Sequence, residues 1–231
     1  MKKGLFFMLL IVMGLGAMAQ QRIQLHSTDK AECVSSDMTG LRASFSFSTL
    51  EAEDYLNGRD TYSWLSLPNT VIGGNEGDPQ IPVINEVIAV PFGATPRVEI
   101  LSYSSTDYQL DDLGMHTLVP RQPSLRKDQR PQDVPFVMNE EAYSSNRAFR
   151  SEPMAVVNVV GTMRGVRLGK LTIEPVSYDP VNNVLRVFND IEVIVHFDGA
   201  NAQTTKKMLI DTYSPYFDGV YGMLFNSKSI S

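Results

Sequence analysis

Leu41-Arg42-Ala43-Ser44-Phe45-Ser46-Phe47-Ser48 alternates without a break: Leu41, Ala43, Phe45 and Phe47 fall on one side, and Arg42, Ser44, Ser46 and Ser48 on the other. A side-chain period of two with one apolar face is the pattern of a half-buried antiparallel strand. Related stretches recur at 61–67, 83–90, 97–103, 154–160, 166–173 and 184–197. They are short, rich in Val, Ile, Tyr and Phe, and separated by Gly, Pro, Asn or Asp. That rhythm predicts an all-β antiparallel β-sandwich with minor short helices. The sandwich is assigned to residues 41–226, between a polar N-terminal segment (20–40) and a short tail (227–231).

Around this frame, residues 171–187 read as a hairpin, with Asp179-Pro180-Val181-Asn182-Asn183 supplying the reversal. Asn189-Asp190 interrupts the alternation before Ile191, which predicts a kinked or bulged strand. Asn139 is placed to cap a helical turn over 140–143 whose first residues are acidic. From 208 to 225 the chain reads as helical, broken at Pro215, with Ser214 as the second cap. Phe217, Val220, Tyr221 and Leu224 then form a stripe expected to pack on the sheet.

The N-terminus opens with Lys2 and Lys3, an apolar run from Leu5 to Ala17, and the small-residue ending Ala17-Met18-Ala19. This is the layout of a secretory signal peptide, cleaved after Ala19, and its run is too short for a membrane helix of about 20 residues. The product is therefore expected to be exported, periplasmic or secreted, without a membrane span. Removing Lys2 and Lys3 takes two positive charges from the formal −6 and leaves −8. That charge argues against nucleic acid as a partner. Cys33 is the single cysteine, so no intramolecular disulfide forms.

The chemistry-bearing residues are few. His26, His116 and His196 are scattered: no third residue is placed to orient His26 or Cys33, His116 has no evident carboxylate partner, and His196 sits in a strand between Val195 and Phe197 as a structural histidine. One cysteine and three separated histidines give no zinc spacing, and no phosphate loop or calcium hand is present in the sequence. No enzyme activity, cofactor or metal is expected, and a monomer that binds is the remaining class.

One segment departs from the strand rhythm. Between Leu118 and Phe136 stand Pro120, Pro123, Pro131 and Pro135 together with Arg121, Arg126, Lys127 and Arg130, against only Asp128 and Asp133. Proline at this density prevents ladder pairing and predicts an extended surface segment with free basic side chains. Composition alone favours a solvated connection between two halves of the sandwich.

Several stretches together resemble the N-terminal propeptides of gingipain-type cysteine proteases (peptidase family C25), most closely those of the lysine-specific branch. They include 76–82 (Glu76-Gly77-Asp78-Pro79-Gln80-Ile81-Pro82), 88–96, Gln122-Pro123-Ser124, 134–137 followed by Tyr143, and 161–167. Further matches are Leu171-Thr172-Ile173, Pro175-Val176, Tyr178-Asp179, Ser214-Pro215-Tyr216-Phe217 and Leu224-Phe225-Asn226. The resemblance implies a β-sandwich that assists folding of a protease and keeps it latent by inserting a basic side chain into its specificity pocket. Lys127 matches that residue in position, and Leu125, Arg126 and Asp128 flank it; Arg126 is the weaker candidate, suited to an arginine-specific enzyme. The implied partner is a gingipain-like cysteine protease acted on in trans, because zymogens of this type continue past the equivalent of Phe225-Asn226 into a catalytic domain. The competing expectations are a truncated zymogen remnant and an exported β-sandwich adhesin or binding module.

Overall fold

The computed structural model describes residues 20–130 and 133–229. The stretch read as a signal peptide, with its cleavage point, lies outside the described residues. In chain order the strands are β1 (Gln20–Gln24), β2 (Lys30–Ser36), β3 (Gly40–Ser46), β4 (Thr49–Asn57), β5 (Asp60–Ser66) and β6 (Val71–Gly73). They continue as β7 (Ile81–Ala89), β8 (Thr95–Gln109), β9 (Met154–Met163), β10 (Val166–Glu174), β11 (Val176–Asp179) and β12 (Val184–Asp198). The helices are α1 (Glu140–Tyr143), α2 (Ala202–Thr212) and α3 (Asp218–Tyr221).

The long strand β12 organises the largest sheet. Along one edge it pairs with β8 from Val184↔Gln109 to Asp198↔Thr95; along the other it pairs first with β11 and then with β3, which carries β2. A second sheet runs β6-β7-β10-β9 and a third β1-β4-β5, and all the strand pairings are antiparallel. The alternation that opened the sequence reading does its work here. Leu41, Ala43 and Phe45 of β3 enter one core with Ile191, Val193 and Val195 of β12, Ile84 and Ile88 of β7, and Leu171 and Ile173 of β10. Each large side chain fully buried in this way contributes about 1.5–3 kcal/mol. The opposite face of β3 is less open than a half-buried strand implies, since Ser44 and Ser46 are also buried, and Ser46 Oγ donates to the Thr28 carbonyl at 2.5 Å.

The interruption at Asn189-Asp190 is a double bulge. Register against β8 shifts twice between Asn189 and Val193, and Asp190 takes φ 50°. Asn189, only 8% exposed, then imitates a strand neighbour. Its amide nitrogen donates to the Phe47 carbonyl (2.9 Å) while its side-chain oxygen accepts from the Phe47 N–H (2.8 Å). The two shifts cancel, so Leu185 and Val187 before the bulge and Ile191 to Phe197 after it keep the same face buried. The predicted hairpin forms over 176–187, where Asp179 accepts from the Val181 and Asn182 amides and closes the turn between β11 and β12, while residues 171–174 belong instead to β10 and pair with β7 and β9.

Residues 20–36, read as polar, carry β1 and β2, which add to the edges at β4 and β3. Asn139 caps α1 as expected, accepting from Ala142 N at 3.4 Å. The C-terminal helix begins earlier than the sequence reading placed it: Asn201 caps α2, accepting from Thr204 N at 2.8 Å. Ser214 stands before the turn at Pro215–Phe217 without a side-chain capping bond. Tyr221 and Leu224 pack with Val166, and Phe217 joins them, whereas Val220 stays exposed.

Candidate functional site

The proline-rich segment leaves the sandwich from a firmly built base. Leu118 and Val119 are buried, and Val119 N donates to the Ser63 carbonyl of β5 (3.0 Å) while the Val119 carbonyl accepts from Gln80 N (2.9 Å). Arg121 N donates to the Asp78 carbonyl, and Gly77 N to the Arg121 carbonyl, both at 2.8 Å. The returning leg is fastened to the same place, with Asn139 N donating to the Gly77 carbonyl (2.9 Å) and Asn139 Nδ2 to Asp78 Oδ1 (2.8 Å). Gly77 has φ 84°, and a Cβ there would stand 3.0 Å from Asn139 N, so the close approach of the two legs needs glycine.

Proline removes amide donors at positions where the two legs would otherwise pair, and one side chain replaces them. Gln122 Nε2 donates to the Val137 carbonyl and to the Pro120 carbonyl, each at 2.9 Å, while Gln122 Oε1 accepts from Val137 N at 3.0 Å. Phe136 packs against Tyr62 and Tyr55, with ring centroids 5.5 and 6.5 Å away. Tyr143 of α1 donates its hydroxyl to the Leu118 carbonyl at 2.7 Å, and burial pushes that phenol far above its usual range. A braced stem therefore carries a projecting tip.

At the tip the expected extended chain is replaced by a reverse turn. Gln129 N donates to the Arg126 carbonyl at 3.0 Å, which puts Lys127 and Asp128 at the two corners. The Gln129 side chain closes the same turn by accepting from Arg126 N at 3.0 Å. Arg130 and Asp133 are bonded in the same way, Asp133 N donating to the Arg130 carbonyl (2.9 Å) and Asp133 Oδ2 accepting from Arg130 N (3.2 Å). In each pair a polar side chain three residues on satisfies an amide that an extended surface strand would leave to water.

The basic side chains are not uniformly free either. Arg121 is bound to the Gly74 carbonyl. Arg126 lies 3.5 Å from Asp128 Oδ1. Arg130 holds both carboxylate oxygens of Asp133, at 2.9 and 3.1 Å, and that bond draws the Asp133 carboxyl below its ordinary range. Lys127 makes no hydrogen bond or ion pair to any described residue. Leu125, Arg126, Lys127 and Asp128 are all exposed, so the four residues singled out in the sequence sit together on the open surface of the loop.

The residues weighed for catalysis lie apart from this loop's tip and from one another. Cys33 donates weakly to the Ser35 carbonyl (3.5 Å), and burial raises its thiol, which disfavours the thiolate a nucleophile needs. His196 pairs with Glu99 at 3.1 Å across β12 and β8, while His26 and His116 are exposed. Among the described residues no group of three His, Cys, Asp or Glu side chains is gathered to hold a metal. Gln122, Gln129, Phe136 and Gly77 are the site residues that sequence reasoning left without a role. Gln122, Gly77 and Phe136 carried a signal, as members of stretches shared with the propeptides, and Gln129 carried none.

Comparison with known proteins places the whole arrangement. The Propeptide_C25 family model matches residues 26–214. Lys-gingipain of Porphyromonas gingivalis is 38% identical over 228 residues, which is 98% of this chain and 13% of that protein. Gingipain R2 of the same species is 21% identical over 212 residues, 91% of this chain and 28% of the relative. The chain thus spans a minor part of the curated relatives it matches. Among solved structures, one bearing on the zymogenic latency of gingipain K from P. gingivalis superposes with a TM-score of 0.71 at 38% identity, over 79% of this chain and all of that one. The complex of P. gingivalis RgpB pro- and mature domains superposes with a TM-score of 0.69 at 19% identity, over 87% of this chain and all of that one.

Proposed function

The chain belongs to the Propeptide_C25 family, and from that premise we propose that it confers latency on a gingipain-like cysteine protease in trans, with Lys127 as the side chain that enters the specificity pocket. The observation that carries this reading is the state of Lys127. It stands exposed at the tip of a braced loop whose other cations are engaged with partners inside the chain. A protease that cuts after lysine presents an acidic, largely desolvated pocket, and an exposed ammonium that pairs with no described residue meets it without first breaking an ion pair to any of them. Arg126, already beside Asp128, is the weaker ligand. On this reading the chain binds and does not catalyse, which is supported by burial raising the Cys33 thiol and by histidines scattered along the sequence.

A latency factor must accompany its protease through export, which accords with the signal peptide read at residues 1–19. Folding assistance follows from the same binding, since a surface that recognises the folded protease stabilises it by mass action. The test is inhibition by residues 20–231 added to a lysine-specific gingipain. Near-stoichiometric inhibition by the wild-type chain, weakened ten-fold or more by Lys127→Ala, is expected; equal inhibition by both would remove Lys127 from this role.

A further inference from the structure

A lysine offered to a lysine-specific protease is also a substrate, so a lasting inhibitor has to keep the bond after that lysine from being cut. We infer that Gln129 is the positioning residue that does this, by closing a turn across the Lys127–Asp128 peptide bond; the inference rests on the assignment of Lys127 to the pocket.

Proteases take the residues around the scissile bond as an extended strand, which pairs with the enzyme's own backbone and aligns the carbonyl for attack. Here that bond lies between the two corner residues of a reverse turn, and the turn is closed from both sides by one residue. Gln129 N donates to the Arg126 carbonyl and Gln129 Oε1 accepts from Arg126 N, both at 3.0 Å. The two backbone groups of Arg126, the residue immediately before the lysine, are thereby occupied inside the loop. An incoming protease strand needs those same groups. Arg126 Nε at 3.5 Å from Asp128 Oδ1 ties the residues on either side of Lys127 together as well. Gln129 is half-buried while Arg126, Lys127 and Asp128 are exposed, so the closing residue is the sheltered member of the turn.

The lysine side chain needs no such opening, because it is exposed at a corner of the turn and makes no hydrogen bond or ion pair to any described residue. Pocket occupancy and cleavage are in this way separated: the first uses the loop as it stands, the second requires the turn to unfold locally. Cleavage that proceeds through a transient open form follows the population of that form. Loss of one hydrogen bond of ordinary net worth raises that population about two- to twelve-fold.

The experiment uses residues 20–231 and two variants, Gln129→Ala and Gln129→Glu, with a soluble lysine-specific endoprotease that is not a gingipain as the probe. Mass spectrometry follows hydrolysis at Lys127–Asp128, with cleavage after Lys206 and Lys207 in α2 as the internal reference. Gln129→Ala is expected to speed cleavage at Lys127 about two- to twelve-fold and to leave the reference sites unchanged. Gln129→Glu retains a side-chain acceptor for Arg126 N and is expected to stay near the wild-type rate. Equal rates at Lys127 in the wild type and Gln129→Ala would overturn the inference. So would a wild-type rate matching that of a free peptide spanning 122–137. Because the probe is a general protease, these outcomes stand whether or not Lys127→Ala impairs gingipain inhibition, and the two ideas fail separately.

Discussion

Replacing Gln122 by alanine removes the brace between the two legs of the loop. Three hydrogen bonds go at once: the donations to the Pro120 and Val137 carbonyls and the acceptance from Val137 N, at 2.9, 2.9 and 3.0 Å. At a net worth of about 0.5–1.5 kcal/mol each they would sum to roughly 1.5–4.5 kcal/mol. Gln122 is only half-buried, so water recovers part of this, and about 1–3 kcal/mol remains as the expected loss. Since the core strands do not depend on the brace, the loss falls on local order of the loop and not on global unfolding. At 1.4 kcal/mol per decade, inhibition of a lysine-specific gingipain should weaken about five- to hundred-fold. The urea midpoint of the same variant should stay close to wild type. Titrating the protease with each chain, alongside urea melts, measures both quantities. A Gln122→Ala chain that inhibits like the wild type, while Lys127→Ala does not, would refute the view that this brace presents the lysine.

Other consequences follow from the frame. Asn189→Ala strands the buried Phe47 N–H and carbonyl, each at about 1–3 kcal/mol, so the urea midpoint should drop by about 1–2 M; an unchanged midpoint would show that water or repacking takes over. The Arg186 guanidinium bonds both oxygens of Asp107 (2.6 and 2.7 Å), and that bond lowers the Asp107 carboxyl. A depressed folded pKa gives stability that is complete above the unfolded value of about 3.9 and is lost as pH falls through the folded one. The pH dependence of unfolding below about pH 4 should therefore flatten in Asp107→Asn. Burial pushes Tyr178 up to about 12 and Tyr143 further, so their stabilising contribution holds below pH 10 and disappears as pH rises through the folded values. Phenolate titration should separate these two from the exposed tyrosines, and a single transition near 10 for all would contradict their burial.

What was legible in the sequence is what alternation and turn chemistry encode. The strands that fill the core, β3, β7, β10 and β12, carry their apolar faces in plain sight, and Asn189-Asp190 announced the bulge. Missed strands were polar for a reason. β4 reads Thr-Leu-Glu-Ala-Glu-Asp-Tyr-Leu-Asn and buries Leu50 and Ala52, and β2 buries no residue, so both are held mainly by ladder bonds to neighbours that supply the core. Local pattern cannot display a pairing decided elsewhere in the chain. The same limit governs the loop. Its prolines and charges revealed a segment outside the ladders, but the Gln122–Val137 brace and the packing of Phe136 on Tyr55 and Tyr62 join residues far apart in sequence. The turn at Lys127 escaped notice because an unremarkable glutamine closes it.

The central claim is tested most directly by the affinity of residues 20–231 for a lysine-specific gingipain whose catalytic cysteine has been replaced, so that binding is read without cleavage. Truncating one partner of a buried charge pair typically costs about 2–5 kcal/mol, and Lys127→Ala should therefore raise Kd by about thirty-fold or more while Arg126→Ala changes it little. Equal affinity of the wild-type and Lys127→Ala chains would contradict the account.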